Sequence, residues 1–125
     1  MNDSDLMVDS KRILIVDDDA GVRDSLARIL RGSGYVVEVA ENGEKGIVKG
    51  ESFHPDVLLV DIRMPGIDGI ETHRELHRRF PQLVGISMTA YASSEKTKEA
   101  IDGGAVSVLP KPLNIESLME LVQSA

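Results

Sequence analysis

Residues 56–69 read DVLLVDIRMPGIDG, and the expected architecture follows from this stretch. Val57–Val60 is an unbroken apolar run, too short for a helix and too apolar for a strand with one face in water. It therefore predicts the central strand of a parallel sheet that is covered on both faces. Asp61 follows this strand directly, where open α/β sheets place their ligands, and Met64-Pro65-Gly66 then turns the chain. The stretch indicates that Asp61 is the chemically active residue.

The composition is that of one soluble globular domain. The chain has 125 residues, with 42% apolar and 28% charged residues and no cysteine. The lack of cysteine excludes disulfides, thiol nucleophiles and thiolate metal sites. A net charge of -7 argues against direct contact of this domain with nucleic acid, which requires a basic surface. No stretch has the length and apolarity of a membrane span or the pattern of a signal peptide, so a cytoplasmic location without membrane contact is expected.

The rest of the chain alternates between strand and helix patterns. Apolar, β-favouring runs predict strands at residues 13–16, 35–39, 57–60, 83–88 and 105–109. Helical spacing and capping residues predict helices at 20–31, at 44–51, from Asp68-Gly69 to a break at Pro81, from Ser93 or Ser94 to 101, and after Asn114. Such alternation predicts right-handed βαβ units in a flavodoxin-like (βα)₅ three-layer sandwich, with a parallel five-stranded sheet in the order 2-1-3-4-5. Residues 1–10 are polar and acidic without a period, which predicts a mobile arm before a single domain at 11–125.

Individual helices carry further expectations. The first helix has an apolar face, and opposite it the charged residues Arg23, Asp24, Arg28 and Arg31. Gly46 and Gly50 weaken the second helix, since each costs about 1 kcal/mol relative to alanine. His73 and His77 lie four apart on the third helix, and without a third ligand an ordinary helix surface is expected for them rather than a metal site. The last helix is expected to turn Ile115 and the apolar residues after it towards the core.

Polar residues follow four of the predicted strands. They are Asp17 and Asp18 after the first strand, Asp61 after the third, Thr89 after the fourth and Lys111 after the fifth. The predicted strand order brings all of them to one rim of the sheet. Crowded carboxylates raise one another's pKa unless a cation balances them. A set of oxygen ligands favours a hard divalent ion, of which Mg²⁺ fits best because it binds one or two carboxylates and keeps waters.

The acidic residues after the first strand have a simpler structural explanation as well. Asp17 and Asp19 are both placed to accept hydrogen bonds at the start of the first helix. Capping is the expected role of Asp19, whereas for Asp17 both roles stay open. For Asp18 and Asp61 the cation site is the preferred interpretation.

Phosphoryl chemistry suits this combination of groups. The carboxylate of Asp61 can attack phosphorus to form an acyl phosphate. Lys111 and Mg²⁺ would neutralise charge on the phosphoryl oxygens, and Thr89 would donate a hydrogen bond to one of them.

Over residues 11–124 the chain resembles the receiver domain of two-component response regulators. The resemblance is carried by five motifs in order: Val16-Asp17-Asp18, Asp61 through Pro65-Gly66, Asp68-Gly69, Met88-Thr89-Ala90 and Lys111-Pro112. It implies that Asp61 accepts a phosphoryl group from a phosphohistidine on a sensor histidine kinase or a histidine phosphotransfer protein. The domain would then be a phosphoacceptor switch rather than a turnover enzyme.

The resemblance also implies roles for particular residues. Mg²⁺ would be held by Asp18, Asp61, the backbone carbonyl of Arg63 and, through water, Asp17. A cis Lys111-Pro112 bond is implied too. The partner would dock near Val22–Arg31, and phosphorylation would change the fourth helix, the fifth strand and the fifth helix.

Three positions near the rim are less usual for this family. Val108 stands where the family commonly has an aromatic residue that moves inward when the threonine binds phosphate, so transmission of the signal through that residue is in question. Tyr91, two residues after Thr89, is a hypothetical substitute. Arg63 and Tyr91 are predicted to restrict the water that would hydrolyse an acyl phosphate on Asp61.

Other functions remain open at the level of sequence. A small aspartyl-phosphate phosphatase of the haloacid dehalogenase type would use Asp17 as nucleophile, but Gly21 stands where its motif has threonine, and 125 residues leave no room for a cap domain. A binding module without chemistry is disfavoured by the intact polar set, and flavin binding by the lack of a phosphate loop after the first strand. Whether a downstream output domain follows Ala125, or the domain acts on a separate protein, also stays open.

Overall fold

The structure is a computed structural model, and it describes residues 10–91 and 93–125. The predicted mobile arm at residues 1–10 lies outside the described residues apart from residue 10. Five parallel strands form one sheet in the order β2-β1-β3-β4-β5, which confirms the predicted fold. The strands are β1 (Arg12–Val16), β2 (Val36–Ala40), β3 (Val57–Asp61), β4 (Val84–Thr89) and β5 (Ser107–Pro110).

The helices alternate with the strands along the chain. They are α1 (Ala20–Gly32), α2 (Gly43–Phe53), α3 (Gly69–Arg79), α4 (Ser94–Asp102) and α5 (Ile115–Ser124). Asp19, Ser93 and Asn114 are confirmed as N-caps, because the side chain of each accepts a hydrogen bond from the first turn. Within the described ranges the longest helix has 13 residues, and none of the helices could cross a membrane.

Helices cover both faces of the sheet and form the three layers. On one face, α1 and α5 pack on β1, β3 and β4 through a cluster that includes Leu30 and Leu118. On the other face, α2 and α3 pack on β1, β2 and β3 through a cluster that includes Phe53 and Leu76. The helix α4 is held more lightly, because Ala100 is its one buried residue. The fully buried β3 lies in the middle of the sheet, so the residue at its carboxyl end is central to the rim.

The predicted ends of several elements were wrong by one or two residues. The strands β2, β4 and β5 begin and end later than the apolar patterns indicated, and α1 continues through Gly32 to a cap at Ser33. The cause is that hydrogen bonds to neighbouring strands, rather than local side-chain patterns, determine where a strand ends.

The glycines of α2 have a packing role that the sequence did not indicate. A Cβ atom at Gly46 would lie 2.8 Å from Cγ2 of Val16, and one at Gly50 would lie 2.6 Å from Cδ2 of Leu76. Both glycines are buried, so they allow α2 to lie close against β1 and α3. The cost in helix propensity is therefore offset by close packing.

Two expectations about side-chain burial were wrong. His73 is not on the helix surface: only 2% of it is exposed, and it packs against Gly85 of β4. Ile115 does not face the core, because 37% of it is exposed at the start of α5. His73 lies three residues from both Ile70 and Leu76 on the buried face of α3, and the space at Gly85 admits its imidazole.

Candidate functional site

The carboxyl ends of β1, β3, β4 and β5 bring the predicted residues together at one rim. Asp17 is fully buried, Asp61 and Thr89 are nearly so, and Asp18 is exposed. Carboxylate oxygens of Asp17, Asp18 and Asp61 all lie within 4.8 Å of one another. Among residues 10–91 and 93–125 this is the one cluster of at least three acidic or histidine side chains with such spacing.

Lys111 reaches into this cluster from the end of β5. Its Nζ lies 2.7 Å from Oδ2 of Asp17 and 3.2 Å from Oδ2 of Asp61. The backbone N–H of Lys111 donates to the carbonyl of Thr89 at 2.8 Å, which fixes this segment to the end of β4. The Lys111-Pro112 peptide bond is cis, as the resemblance implied.

Both carboxylate oxygens and the backbone carbonyl of Asp17 accept hydrogen bonds. Its Oδ1 accepts a hydrogen bond from the backbone N–H of Asp19 at 2.9 Å, while Oδ2 accepts from Lys111. Its backbone carbonyl accepts from Nη1 of Arg23 at 2.7 Å. The N-cap of α1 is Asp19, and the Asp17 side chain lies at the rim beside Lys111, where its part in a cation site stays a prediction.

Asp61 is a carboxylate in an unfavourable environment. Burial raises its pKa above the ordinary value, and the negative charge of Asp17 raises it further. Lys111 and the backbone N–H of Arg63, which lies 3.3 Å from Oδ1, oppose this shift without cancelling it. The site therefore favours the arrival of more positive charge.

The pKa of Lys111 also reflects the negative charge of the neighbouring carboxylates. Burial by itself would lower it, but the hydrogen bond and charge of Asp17, followed by those of Asp61, outweigh burial and raise the pKa of Lys111. The ammonium group is therefore firmly charged at neutral pH and already neutralises part of the acidic cluster.

The chain after β3 lies close against the strand end. A Cβ atom at Gly69 would lie only 2.1 Å from the carbonyl oxygen of Asp61, so a larger residue cannot occupy the start of α3 without displacing the strand end. The N–H of Gly69 donates to the carbonyl of Ile62 at 2.9 Å. Gly69 thus fixes the loop between the end of β3 at Asp61 and α3, which carries Arg63.

Thr89 ends β4 at the rim, and its hydroxyl is hydrogen-bonded to the backbone of Tyr91. The Thr89 hydroxyl donates to the carbonyl of Tyr91 and accepts from the N–H of Tyr91, both at 3.0 Å. Arg63 lies over the ring of Tyr91, with its guanidinium carbon 4.9 Å from the ring centroid. The two residues predicted to act together are therefore in contact, and Tyr91 is 67% exposed.

The donor set fits a hard cation. The residues that converge supply carboxylate oxygens, which are the ligands that Mg²⁺ and Ca²⁺ prefer. Three carboxylates face one ammonium group, so the positive charge of Lys111 alone does not balance the cluster. The cluster could therefore bind a metal ion.

One contact of the rim was not predicted. Arg23 was interpreted as a charged residue on the outer face of α1, yet its guanidinium contacts the main chain of Asp17. An arginine one turn into the helix that follows an acidic loop is the available signal in the sequence, but it does not by itself identify the contact.

Comparison with known proteins gives a consistent result. The family model described as "Response regulator receiver domain" matches residues 13–123. Over 113 residues the chain is 40% identical to the DNA-binding transcriptional regulator NtrC of Salmonella typhimurium, covering 90% of this chain and 24% of that relative. The chain thus spans about a quarter of the length of this relative.

Solved structures agree in fold. A receiver domain protein described as CheY-like, from Methanospirillum hungatei JF-1, has a TM-score of 0.87 and 36% identity, with 92% of each chain covered. A response regulator from Burkholderia pseudomallei, solved with a phosphorylated aspartic acid, a calcium ion and citrate, has a TM-score of 0.85 and 28% identity, covering 92% of this chain and 68% of that one.

The phosphatase alternative gains no support from these matches. The geometry also disfavours Asp17 as a nucleophile, because both of its carboxylate oxygens are engaged and the residue is fully buried.

Proposed function

The chain belongs to the response regulator receiver domains, and from this premise we propose that Asp61 accepts a phosphoryl group from a phosphohistidine of a sensor histidine kinase or histidine phosphotransfer protein. The observation that carries the proposal is the convergence of Asp61 with Asp17, Asp18 and Lys111 at the rim. Asp61 lies at the end of the central strand, and its charge is incompletely balanced there. The phosphorylated aspartic acid of the Burkholderia pseudomallei regulator supports the same chemistry for this chain.

The transfer forms one bond and breaks another. A carboxylate oxygen of Asp61 bonds to phosphorus, the phosphorus–nitrogen bond of the phosphohistidine breaks, and the imidazole leaves with the electron pair and takes up a proton. Lys111 stabilises the charge that develops on a phosphoryl oxygen, because its ammonium group already lies beside Asp61. The product is an acyl phosphate on Asp61.

Mg²⁺ is the cation we propose for the site. Asp18 and Asp61 would hold it together with the backbone carbonyl of Arg63, and Asp17 would do so through water. When bound, Mg²⁺ neutralises negative charge on the phosphoryl oxygens and on the carboxylates. Asp18 suits this role because it is the exposed member of the cluster and can be reached from solvent.

Thr89 would convert the chemistry into a conformational change. Its hydroxyl is engaged with the backbone of Tyr91, so donating to a phosphoryl oxygen requires that this turn opens. Opening would displace the loop before α4, the helix with the fewest buried residues. Phosphorylation would thereby shift the population of two conformations on α4, β5 and α5. Since Val108 stands at the usual aromatic position, the loop at Tyr91 carries this change.

A groove beside the rim is the proposed docking site for the phosphodonor. It has a volume of about 440 Å³ and lies between α1 and the segment from Lys111 to Ile115. Its lining is mostly apolar and includes Val22, Leu26 and Leu113, next to Lys111 of the rim. The exposed Ile115 also belongs to this lining, which accounts for an apolar side chain at the surface.

The domain would act as a switch in the cytoplasm rather than as a turnover enzyme. Its output would reach an attached domain or a separate protein, as the name of the DNA-binding relative suggests. The net charge of -7 argues that this domain itself does not contact nucleic acid.

The test is phosphorylation by acetyl phosphate with Mg²⁺, followed by intact mass spectrometry and peptide mapping. We expect incorporation at Asp61 in the wild type and none in Asp61→Asn. Asp24→Asn, which replaces an exposed acid on α1, is the matched control and should incorporate phosphate normally. Unchanged incorporation in Asp61→Asn, or rapid turnover of small phosphate esters by the wild type, would contradict the proposal.

A further inference from the structure

Arg23 contacts the acidic loop between β1 and α1 at both of its ends. Its Nη1 donates to the backbone carbonyl of Asp17 at 2.7 Å. Its backbone N–H donates to the carbonyl of Asp19 at 3.1 Å. The second bond is the ordinary first hydrogen bond of α1, so what the Arg23 side chain adds is the bond to Asp17 on the other side of Asp18.

The carbonyl of Asp17 needs a donor from outside the sheet. The paired register of β1 and β2 ends at Val16 and Ala40, and the N–H of Asp17 makes the last sheet bond, to the carbonyl of Ala40 at 3.2 Å. Beyond this point the chain after β2 turns away to the cap of α2 at Asn42. The guanidinium of Arg23 therefore supplies the bond that the strand ladder no longer provides, beside a fully buried residue.

We propose that Arg23 is a positioning residue for the cation site: it acts through the main chain of Asp17 and keeps the carboxylates of Asp17 and Asp18 turned towards Asp61. This inference rests on the proposed function, because it assigns Arg23 to the same site. Arg23 does not touch the carboxylates, so its effect is on their geometry. Groups that orient metal ligands in this indirect way typically change metal affinity by about 10- to 100-fold when removed.

The sign of the effect distinguishes positioning from simple electrostatics. Removing a positive charge close to an acidic cluster would, by charge alone, strengthen cation binding. Loss of positioning would instead weaken it. A weaker cation affinity in a variant without the guanidinium therefore cannot come from the change in charge.

The same helix offers a matched control. Arg31 of α1 also donates from its guanidinium to a backbone carbonyl, that of Val37, at 2.8 Å. Both bonds are partly buried and both span six residues. Arg31→Gln thus removes the same charge and the same kind of bond, but away from the rim.

The experiment compares wild type, Arg23→Gln and Arg31→Gln by calorimetric titration with Mg²⁺ and by urea unfolding without metal. We expect both variants to lose similar stability, while the dissociation constant for Mg²⁺ rises about 10- to 100-fold in Arg23→Gln and stays near that of the wild type in Arg31→Gln. If Arg23→Gln does not fold, Arg23→Met keeps the aliphatic stem and is judged by the same outcome.

Either of two results would overturn the inference. One is wild-type Mg²⁺ affinity in the Arg23 variant, and the other is an equal loss of affinity in the Arg31 variant. Failure of the proposed function looks different, because then the wild type itself would neither bind Mg²⁺ nor accept phosphate.

Discussion

Asp61 combines burial with a negative charge that its surroundings disfavour. Its pKa is raised, first by burial and then by Asp17, whereas an unfolded chain would leave the carboxyl near its ordinary value. A group with a raised pKa in the folded state contributes stability at low pH, and this contribution is lost as the pH rises through the folded pKa. At neutral pH the ionised Asp61 therefore costs stability, which is common for a reactive group.

Replacing this carboxylate should stabilise the protein while removing its chemistry. We expect Asp61→Asn to raise the free energy of unfolding at pH 7 without metal by about 0.5–2 kcal/mol, because the amide is neutral and Lys111 keeps Asp17 as a partner. Urea unfolding measures this change, with Asp24→Asn as the exposed control. A clear loss of stability in Asp61→Asn would show that its charge is better compensated than the structure indicates.

The stacked pair of Arg63 and Tyr91 should protect the acyl phosphate. The guanidinium lies over the Tyr91 ring at the edge of the rim, where it can limit the approach of water to Asp61. We expect Arg63→Ala and Tyr91→Ala each to shorten the half-life of the phosphorylated protein several-fold. Because the two side chains act as one contact, the double variant should lose little more than either single variant. Unchanged half-lives would remove this role.

At the level of elements, the contact between α3 and β4 is built around His73. A Cβ atom at Gly85 would lie 2.3 Å from Nε2 of His73, so the imidazole occupies the space that a glycine leaves on β4. Within the described residues, Nε2 has no hydrogen-bond partner. The exposed His77 of the same helix lies beside His73, with 5.8 Å between the ring centroids. Gly85 of β4 and Gly104 of the loop before β5 also lie against the His73 ring, and neither carries a charge.

This contact should make stability depend on pH. Burial, and to a lesser degree His77, lower the pKa of His73 below its ordinary value of 6.5, so the folded state binds fewer protons than the unfolded state. Above pH 6.5 the imidazole is neutral in the folded and in the unfolded state, and the free energy of unfolding has its full value. As the pH falls towards the lowered pKa, protonation favours the unfolded state and this stability is lost. We expect His73→Leu to flatten the dependence of the free energy of unfolding between about pH 5 and 7. His77→Gln, which removes an exposed histidine, should retain most of it; an unaltered slope in His73→Leu would contradict the assignment.

At the scale of the whole molecule, the sheet joins residues that are distant in sequence. Lys111 is 94 residues from Asp17 and 50 from Asp61, yet its ammonium group contacts both. A cation bound by the acidic cluster would link β1 and β3 in the folded state alone, since the unfolded chain cannot hold these carboxylates together.

Mg²⁺ should therefore raise global stability by mass action. At a Mg²⁺ concentration 100 times the dissociation constant, we expect a gain of about 2.7 kcal/mol in the free energy of unfolding of the wild type. Asp18→Asn should lose most of this gain, because it replaces the exposed charged carboxylate of the cluster with a neutral amide and does not disturb the buried pair of Asp17 and Lys111. Thermal unfolding at increasing Mg²⁺ measures the effect, and EDTA should reverse it. A gain of equal size in Asp18→Asn would show that the ion binds elsewhere.

The local pattern of the chain was sufficient to predict the architecture and the composition of the rim. Periodicity and capping residues depend on a few neighbouring positions, so they identify the alternating elements, and the alternation restricts the strand order. Since parallel strands end at the same edge, the positions of Asp17, Asp61 and Lys111 follow from the order of the strands. The family resemblance supplied the roles of these residues, and the individual assignments remain predictions.

Only the tertiary structure decided which side chains contact across elements. The period of α3 places His73 on its buried face, but only the space at Gly85, which is distant in sequence, allows an imidazole to fit there. The contact of Arg23 with Asp17 depends on where the pairing of β1 with β2 ends. The presence of glycine at position 46 is explained only by the close approach of Val16. The physical reason is common to all of them: burial and hydrogen bonding depend on the volumes and donors of the neighbouring element, whereas a sequence pattern describes one element at a time.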